Sequence, residues 1–382
     1  MNATHDTARP PARPPASPLD PVEVAAATLA CLPNMTPGRL RALIERGGGA
    51  VGALAGLDRG LASAVLCERA SAEDLPARVA LARIWQEVAT TERVPRLLAE
   101  RRTHVYVDGH SGYPIDDLPD RPAVLLAEGD VPDGLLRRRV AIVGTRAATP
   151  HGLADAYELG AVLARAGITV VSGLAIGIDA AAHEGALEAG GTVVGVVATG
   201  LDVVYPRRHR ALFDRVRGSG LLVSELGYGV QPRREAFPVR NRIIAGLAEA
   251  VVVVEATLKG GARITAERAN DYGRAVMAMP GSLRNPAAAG TNALIYDGAQ
   301  AVLEPSDVLV QLSLTAAPRP ADHRVAPTGD AARVLRACGG EPATLDQLAS
   351  RAGLPPSAVV ASVRALERSG WMERARGLCW PR

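Results

Sequence analysis

Six short runs of β-branched and other apolar residues recur between residues 140 and 279, and stretches with helical periodicity separate most of them. Strands that are apolar along their whole length must be buried on both faces, which a parallel sheet covered by helices on each side provides. We therefore predict an α/β domain with an extended Rossmann-like parallel sheet over residues 103–312. The predicted strands lie at 140–143, 168–171, 192–197, 221–223, 251–254 and 275–279.

Smaller units are predicted before and after this domain in the sequence. Residues 1–19 are rich in Pro, Ala and Arg and are expected to be a disordered leader, since they lack the apolar core of a signal peptide. Residues 20–98 predict a small helical domain of the SAM or helix-hairpin-helix kind, in which Thr36 caps one helix and Gly47 stops it. A Pro-containing linker is expected over 313–329.

The last segment, residues 330–382, has the pattern of a winged helix, with two helices followed by a hairpin whose tip is at 376–377. Thr344 and Gln347 match a capping box. Ser357 is expected to cap the second helix, which buries Val359, Val363 and Leu366 on one face.

Charge is distributed unevenly along the chain. The formal net charge is only +3, but residues 201–285 contain 14 Arg and Lys against 8 Asp and Glu, so the remainder carries a net −3. A basic stretch in a slightly acidic chain is a candidate surface for a polyanion.

Four scattered cysteines without a CxxC pair predict neither a disulfide framework nor a zinc site. No apolar run is long enough to span a membrane, so we expect a cytoplasmic protein without membrane contacts.

The loops that follow the strands are the first candidates for a site, because ligands of open parallel sheets gather beyond the carboxyl ends of the strands. Gly144, Thr145 and Arg146 follow the first predicted strand, and Thr149 with Pro150 begins the next helix. Exposed amides and one guanidinium would form a seat for a phosphate. A capped turn with a solvated Arg146 explains the same residues equally well.

The loop after the second predicted strand contains Ser172, Gly173 and Gly177, whose small side chains would let a ligand approach closely. It matches neither GxGxxG nor GxxxxGK[ST], which disfavours a nucleotide hydrolase of the phosphate-loop type. Asp179 and His183 are four residues apart and could share a metal ion. Without a third ligand, a helix cap and a surface histidine are favoured, and no metal, other cofactor or catalytic residue is predicted.

The strongest signal for nucleic acid is the segment 233–242, which contains four arginines, Asn241 and Phe237, one of only two phenylalanines in the chain. Arginine holds phosphates with two N–H groups, and a phenyl face stacks on a base without reading its identity. The alternative is a solvated basic loop with Phe237 in the core. Lys259 and Arg263 add positive charge in the loop after the fifth predicted strand.

Taken in chain order, these segments resemble the DprA (Smf) family of DNA-processing proteins. The likeness extends over roughly residues 113–310, and the helical start and winged-helix-like end also suit that family. The segments that carry it are Tyr113-Pro114, 140–146 (Val-Ala-Ile-Val-Gly-Thr-Arg), 172–179 (Ser-Gly-Leu-Ala-Ile-Gly-Ile-Asp) with His183, 200–202 (Gly-Leu-Asp), Tyr205-Pro206, Ser224-Glu225, 237–242 (Phe-Pro-Val-Arg-Asn-Arg) and Pro280-Gly281.

The resemblance implies a homodimer that binds single-stranded DNA without cleaving it, protects incoming strands during natural transformation and loads RecA onto them. It also implies that Arg146, Arg234, Phe237, Arg240 and Asn241 occupy the DNA pocket. The family commonly reads Ser-Gly-Ser-Leu-Ile-Thr-Ala where this chain has Gly-Gly-Ala-Arg-Ile-Thr-Ala at 260–266. Compared with the family, this segment of the pocket therefore lacks two hydroxyl groups and has an additional arginine, Arg263. The full predicted DNA-binding set is Gly144, Thr145, Arg146, Ser172, Gly173, Gly177, Arg234, Phe237, Arg240, Asn241, Lys259 and Arg263.

Two other functions fit parts of the sequence. Similar folds host enzymes that hydrolyse nucleoside monophosphates through a Pro-Gly-Gly-x-Gly-Thr-x-x-Glu loop, but here Ser282 follows Pro280-Gly281 and Leu294 stands where the Glu is required. A transcription regulator would bind duplex DNA through the last unit, where only Arg364 and Arg368 lie on the would-be recognition helix.

Overall fold

The structure is a computed structural model in which residues 20–68, 70–90, 92–115, 117–130, 135, 138–313, 326–339, 342–375 and 377–381 are described. Two compact units make up the chain, residues 1–316 and 317–382. The predicted helical segment and sheet fall within the first unit. The predicted leader, residues 1–19, lies outside the described residues, and so does most of the predicted linker.

The described part of the first unit begins with six helices between residues 21 and 101, in the segment 20–98 for which helices were predicted. Thr36 caps the second of them, its hydroxyl accepting a hydrogen bond from the amide of Arg39 at 3.3 Å, and Gly47 follows its last residue. The helices are α1 (Pro21–Ala30), α2 (Pro37–Arg46), α3 (Ala50–Gly56), α4 (Leu61–Cys67), α5 (Leu75–Ala89) and α6 (Arg93–Arg101).

Within the described ranges no single helix has both the length and the hydropathy needed to cross a membrane. The pair Ala50–Arg59 and Leu61–Cys67 meets these two criteria only jointly and is bent by 89°.

Nine strands of the described chain form one sheet in the order β1-β2-β6-β5-β4-β3-β7-β8-β9. β3 to β9 are parallel, whereas β1 and β2 pair antiparallel with each other and β2 pairs antiparallel with β6. The strands are β1 (His104–Val107), β2 (Val124–Glu128), β3 (Arg139–Val143), β4 (Thr169–Ser172), β5 (Val193–Val196), β6 (Gly220–Ser224), β7 (Ala250–Val253), β8 (Ala275–Ala278) and β9 (Gln300–Ala301).

All six predicted strands are confirmed, as β3 to β8. The prediction missed β1, whose four residues alternate between half-buried and buried, and the two-residue β9. It also missed β2, which is buried along its whole length like the strands that were predicted. The sheet is therefore mixed at one edge, where an antiparallel pair extends it beyond β6.

Helices cover both faces of the sheet, as the apolar strands require. Val140 and Ile142 of β3 belong to the hydrophobic cluster under α7, α8 and α9, whereas the alternate residues Ala141 and Val143 belong to the cluster under α10, α11 and α12. The helices are α7 (Pro150–Arg165), α8 (Ile178–Glu188), α9 (Arg210–Ser219), α10 (Ala236–Leu247), α11 (Gly261–Asp271), α12 (Ala289–Tyr296) and α13 (Ser306–Gln311).

The order of the strands creates a crevice between β3 and β7. From β3 the chain moves outward through β4, β5 and β6, then returns through α10 to place β7 on the other side of β3. The helical connections therefore leave these two neighbours in opposite directions, which opens a cleft beyond their carboxyl ends.

The second unit consists of α14 (Gly329–Cys338), α15 (Leu345–Ala352), α16 (Pro356–Arg368), β10 (Met372–Ala375) and β11 (Leu378–Pro381). The capping box is confirmed: the amide of Thr344 donates to Gln347 Oε1 at 2.9 Å, and the amide of Gln347 donates to Thr344 Oγ1 at 3.2 Å.

One detail of this unit was predicted wrongly. Ser357 does not cap α16, because the helix begins one residue earlier at Pro356, a residue type that fits the first helical position. Val359, Val363 and Leu366 are buried as predicted, and β10 and β11 form the predicted hairpin. Arg376, at its predicted tip, lies outside the described residues.

Candidate nucleic-acid interface

A cavity of about 300 Å³ occupies the crevice at the ends of β3 and β7. The loop after β3, the first turns of α10 and the first turn of α11 form its walls. The residues that line it include Gly144, Thr145, Arg146, Asp179, Phe237, Arg240, Asn241, Gly260, Gly261 and Thr265. Half of the predicted DNA-binding residues thus meet in one place.

The loop that carries Arg146 is anchored to β7. The amide of Thr145 donates to the carbonyl oxygen of Glu255 at 2.7 Å. The buried carboxylate of Glu255 accepts hydrogen bonds from the amide of Thr149 at 2.8 Å and from its hydroxyl at 2.6 Å. Thr149 caps α7 as predicted. These bonds hold the loop in place and leave Arg146 exposed.

Arg146 and Phe237 meet at the opening of the cavity. The guanidinium carbon of Arg146 lies 4.9 Å from the centroid of the Phe237 ring, within the range of a cation–π interaction. The ring of Tyr205 contacts Phe237 from another side, at 5.5 Å between centroids. The alternative that places Phe237 in the core is wrong: the ring is only half-buried and lines the cavity.

Arg240 lies beneath the cavity and is only 6% exposed. Its Nη1 donates to the carbonyl oxygen of Gly173 at 2.9 Å and to that of Val196. Burial lowers the pKa of Arg240 to about 10; Asp179 opposes this shift and Arg146 adds to it. Arg240 therefore keeps its positive charge near neutral pH, although two protein carbonyls already occupy the donors of its Nη1.

Asp179 is the negative counterpart of Arg240. It is buried, and its Oδ2 accepts a hydrogen bond from the amide of Gly173 at 3.1 Å. Burial raises the pKa of Asp179, against the opposing effects of Arg240 and of three backbone amides. Asp179 was favoured as a helix cap, but Gly177 is the cap residue and Asp179 lies in the first turn of α8.

The prediction for His183 was wrong. Its side chain is fully buried under the sheet, not on the helix surface, and its Nε2 lies 3.2 Å from the carbonyl oxygen of Val194. Burial lowers the pKa of His183 to about 4. Across the described part of the chain, no group of three His, Cys, Asp or Glu side chains is placed to hold a metal ion.

The small residues after β4 contact other parts of the protein. Ser172 Oγ donates to the carbonyl oxygen of Ile142 at 2.6 Å. A Cβ atom at Gly173 would lie 2.6 Å from Nη2 of Arg240, and one at Gly177, where φ is +91°, would lie 2.4 Å from the carbonyl oxygen of Thr145. The room expected for a ligand at these glycines is therefore taken by the protein's own atoms.

The first turn of α11 supplies backbone amides to the cavity. Its cap residue is Gly260, and no side chain in the described part of the chain caps it. Asn241 joins α10 to it, since Asn241 Nδ2 donates to the carbonyl oxygen of Gly261 at 3.2 Å. An uncapped helix start with small residues is a favourable position for an anion.

Besides Ser172, Gly173 and Gly177, three other predicted residues do not line the cavity. Arg234 is exposed in the turn before α10, and Lys259 is exposed in the turn before α11. Arg263 turns away, with Nη1 donating to the carbonyl oxygen of Leu258 at 3.4 Å and Nη2 at 3.9 Å from Asp297 Oδ2.

The predicted DNA-binding set does not include a surface group that begins at Tyr205, although Tyr205-Pro206 is among the segments that resemble the family. Tyr205 is 41% exposed and forms a cis peptide bond with Pro206, and Arg207, Arg208 and Arg210 follow it on the surface. The signal was present as three arginines in four residues, inside the basic stretch 201–285. Their link to the site depends on the contact between Tyr205 and Phe237, which only the fold creates.

Comparison with known proteins identifies the family. The sequence model of the family described as DNA recombination-mediator protein A matches residues 104–313, and that of the DprA winged helix domain matches residues 315–377. Protein Smf from Synechocystis sp. is 41% identical over 205 residues, and the alignment covers 51% of this chain and half of that relative's length.

Two solved structures are also similar. DNA processing protein A (DprA) from Streptococcus pneumoniae aligns with a TM-score of 0.61 and 32% identity, covering 77% of this chain and 98% of that one. DNA processing protein A from Helicobacter pylori, described by its single-stranded DNA binding mode, aligns with a TM-score of 0.50 and 29% identity, covering 56% and 96%. Because the first family match alone covers more than half of the residues, this chain belongs to the DprA (Smf) family of DNA-processing proteins.

Proposed function

We propose that this protein binds single-stranded DNA in the crevice between β3 and β7, does not cleave it, and passes it to RecA during DNA uptake and recombination. The observation that carries the proposal is the contact between Arg146 and Phe237 at the opening of that crevice. This contact supports the proposal because a guanidinium suits a phosphate and a neighbouring phenyl ring suits a base.

The chemistry of the crevice suits an unpaired strand. A phosphate would be held by Arg146 and by the backbone amides at the start of α11. A neighbouring base would stack on Phe237 or Tyr205, which accept any base because every base has a π-face. A duplex keeps its bases stacked inside, so the aromatic pair favours single strands.

The twelve predicted residues take different parts in this proposal. Gly144, Thr145, Arg146, Phe237 and Asn241 line the cavity and would contact the strand. Ser172, Gly173, Gly177 and Arg240 would support that surface from beneath, because their atoms are engaged within the protein. Arg234, Lys259 and Arg263 would add long-range attraction for phosphate from outside the cavity.

We propose no hydrolytic step. Among the described residues that line the crevice, Asp179 carries the one carboxyl group, and it is buried and bonded to the amide of Gly173. Leu294 stands where a nucleoside-monophosphate hydrolase needs its Glu. Release of a free base from AMP by the purified protein would contradict this part of the proposal.

We also propose a homodimer, as the family resemblance implies, through the sheet edge at β9. Large exposed side chains stand before and after β9 in the chain: Tyr296, Leu303 and Val310 are 91%, 79% and 66% exposed. Exposed apolar side chains beside a sheet edge are a candidate protein contact. Light scattering should report a dimer for the wild-type protein and a monomer for Leu303→Asp; a wild-type monomer would contradict the assignment.

The test of DNA binding is a titration of labelled oligothymidine and of a matched duplex at two salt concentrations. Arg146→Ala and Phe237→Ala should each weaken single-strand binding by about tenfold, given a loss of roughly 1–3 kcal/mol per stacked base or charged contact. The control is Arg165→Ala, which removes another exposed arginine from the end of α7, on the side of the sheet where the parallel strands begin and away from the crevice beyond their carboxyl ends. Wild-type affinity in both crevice variants would refute the site.

Delivery to RecA needs its own measurement. The wild-type protein should accelerate assembly of RecA on single-stranded DNA, and Arg146→Ala should not, because the strand must be held before it can be transferred. Equal RecA assembly with and without the wild-type protein would remove this part of the proposal and leave DNA binding intact.

A further inference from the structure

A second cavity, of about 500 Å³, opens beyond the ends of β5 and β6 in the first unit. Its walls are the loop 31–37 between α1 and α2, the connection 225–233 after β6, and one side of α10. It borders the crevice already described, because Arg240 lines both.

Helix α10 separates the two cavities. Phe237, Asn241 and Ile244 line the first cavity, whereas Ala236, Val239 and Ile243 line the second. The two sets alternate along the helix, so they occupy adjacent faces of it. A ligand that reaches over the first turn of α10 therefore passes from one cavity to the other.

The lining of the second cavity is mainly apolar and contains a few polar groups. Leu32, Met35, Leu226 and Val230 provide apolar walls, and Arg93, Gln231 and Arg233 add polar groups. Pockets of this size with mainly apolar walls and a few polar groups are typical of small-ligand sites. At the boundary, the Nε of Arg240 is buried and has no hydrogen-bond partner among the described residues.

We infer that the second cavity receives one base of the bound single strand, turned out of the stack, at a position next to the base that contacts Phe237. The inference rests on the proposed function. The chain supplies the path between the two positions: Arg233, which lines the second cavity, and Arg234 are exposed immediately before α10, where they can hold the phosphate that joins the two nucleotides. The protein thus binds each strand at two separate base positions.

The test fills the second cavity without touching the first. Val239→Trp is suited to this because Val239 is 44% exposed and a larger side chain there has room to extend into the cavity. Met35→Trp narrows the cavity from the opposite wall. The matched control is Val51→Trp, on α3 away from the cavity, where the valine is 48% exposed.

The measurement uses oligothymidines in which a single abasic site is moved along the strand. The wild-type protein should show two positions where removing a base weakens binding, each by about tenfold. Val239→Trp and Met35→Trp should abolish the second position, keep the first, and lower affinity for the intact strand by about tenfold. A 2-aminopurine at the second position should fluoresce more strongly on binding to the wild-type protein and to Val51→Trp, and should not respond to Val239→Trp.

The outcomes separate this inference from the proposed function. If the wild-type protein does not bind single strands, the proposed function itself fails. If the wild-type protein binds and Arg146→Ala weakens binding, but both cavity-filling variants keep wild-type affinity and the wild-type abasic profile, only the second base position is overturned.

Discussion

Glu255 accepts two hydrogen bonds from Thr149, one from its amide at 2.8 Å and one from its hydroxyl at 2.6 Å. The carboxylate at the end of β7 therefore fixes both the start of α7 and the loop that presents Arg146. Glu255→Gln exchanges one acceptor oxygen for an amide donor that faces these N–H and O–H groups.

We expect Glu255→Gln to lower the free energy of unfolding by about 2 kcal/mol, the usual contribution of hydrogen bonds to a charged group. Affinity for oligothymidine should also fall, because Arg146 loses its anchored loop. Urea-induced unfolding and DNA titration measure the two effects. Glu267→Gln, on the exposed face of α11, is the matched control and should change neither.

We expect the removal of Arg240 to lower the stability of the fold and the removal of Arg146 to lower the affinity for DNA. Arg240→Met leaves Asp179 buried without its positive neighbour and two carbonyl groups without a donor, so we expect a loss of roughly 3 kcal/mol or more in the free energy of unfolding. Arg146→Ala should keep the wild-type melting temperature and lose DNA affinity. Thermal unfolding distinguishes the two variants. An Arg240→Met protein with wild-type stability and no DNA binding would mean that Arg240 contacts the strand directly.

The arginines after Tyr205 should contribute to the salt dependence of DNA binding. Each phosphate contact on a single strand adds about 0.7 to the slope of log affinity against log salt, so replacing Arg207, Arg208 and Arg210 together by Ser should reduce that slope by about 2. Titrations at four or more salt concentrations measure it. An unchanged slope would show that these exposed side chains do not reach the DNA.

Because His183 is buried, we expect it to make the free energy of unfolding fall as the pH becomes acidic. Its pKa is about 4 in the folded protein and near 6.5 when unfolded, so between these values the unfolded state binds more protons than the folded state. This contribution to stability is complete above pH 6.5 and is lost as the pH falls toward 4. In His183→Gln, the decrease in the free energy of unfolding from pH 7 to pH 4.5 should be about 2 kcal/mol smaller than in the wild type. Equal decreases in the two proteins would contradict the assignment.

The burial and the partners of the four arginines in segment 233–242 could not be predicted from the sequence. Their number and spacing correctly indicated a basic segment beside Phe237, yet the four have different surroundings. Arg233 and Arg234 are exposed, whereas Arg240 is buried against carbonyl groups. Arg242 is also buried and bound to Glu225 at 2.6 Å. Counting residues cannot separate these cases, because burial and pairing depend on the rotation of α10 against the sheet.

The sequence by itself determined the strands β3 to β8 and the loops that follow them, because an apolar run between turn residues has few other stable arrangements. It also located the caps at Thr36, Thr149 and Thr344, whose bonds are local. Only the tertiary structure decided which side chains share the crevice. Arg146 meets Phe237 because the chain returns from β6 to place β7 beside β3, and such a contact between distant segments depends on the order of strands in the whole sheet.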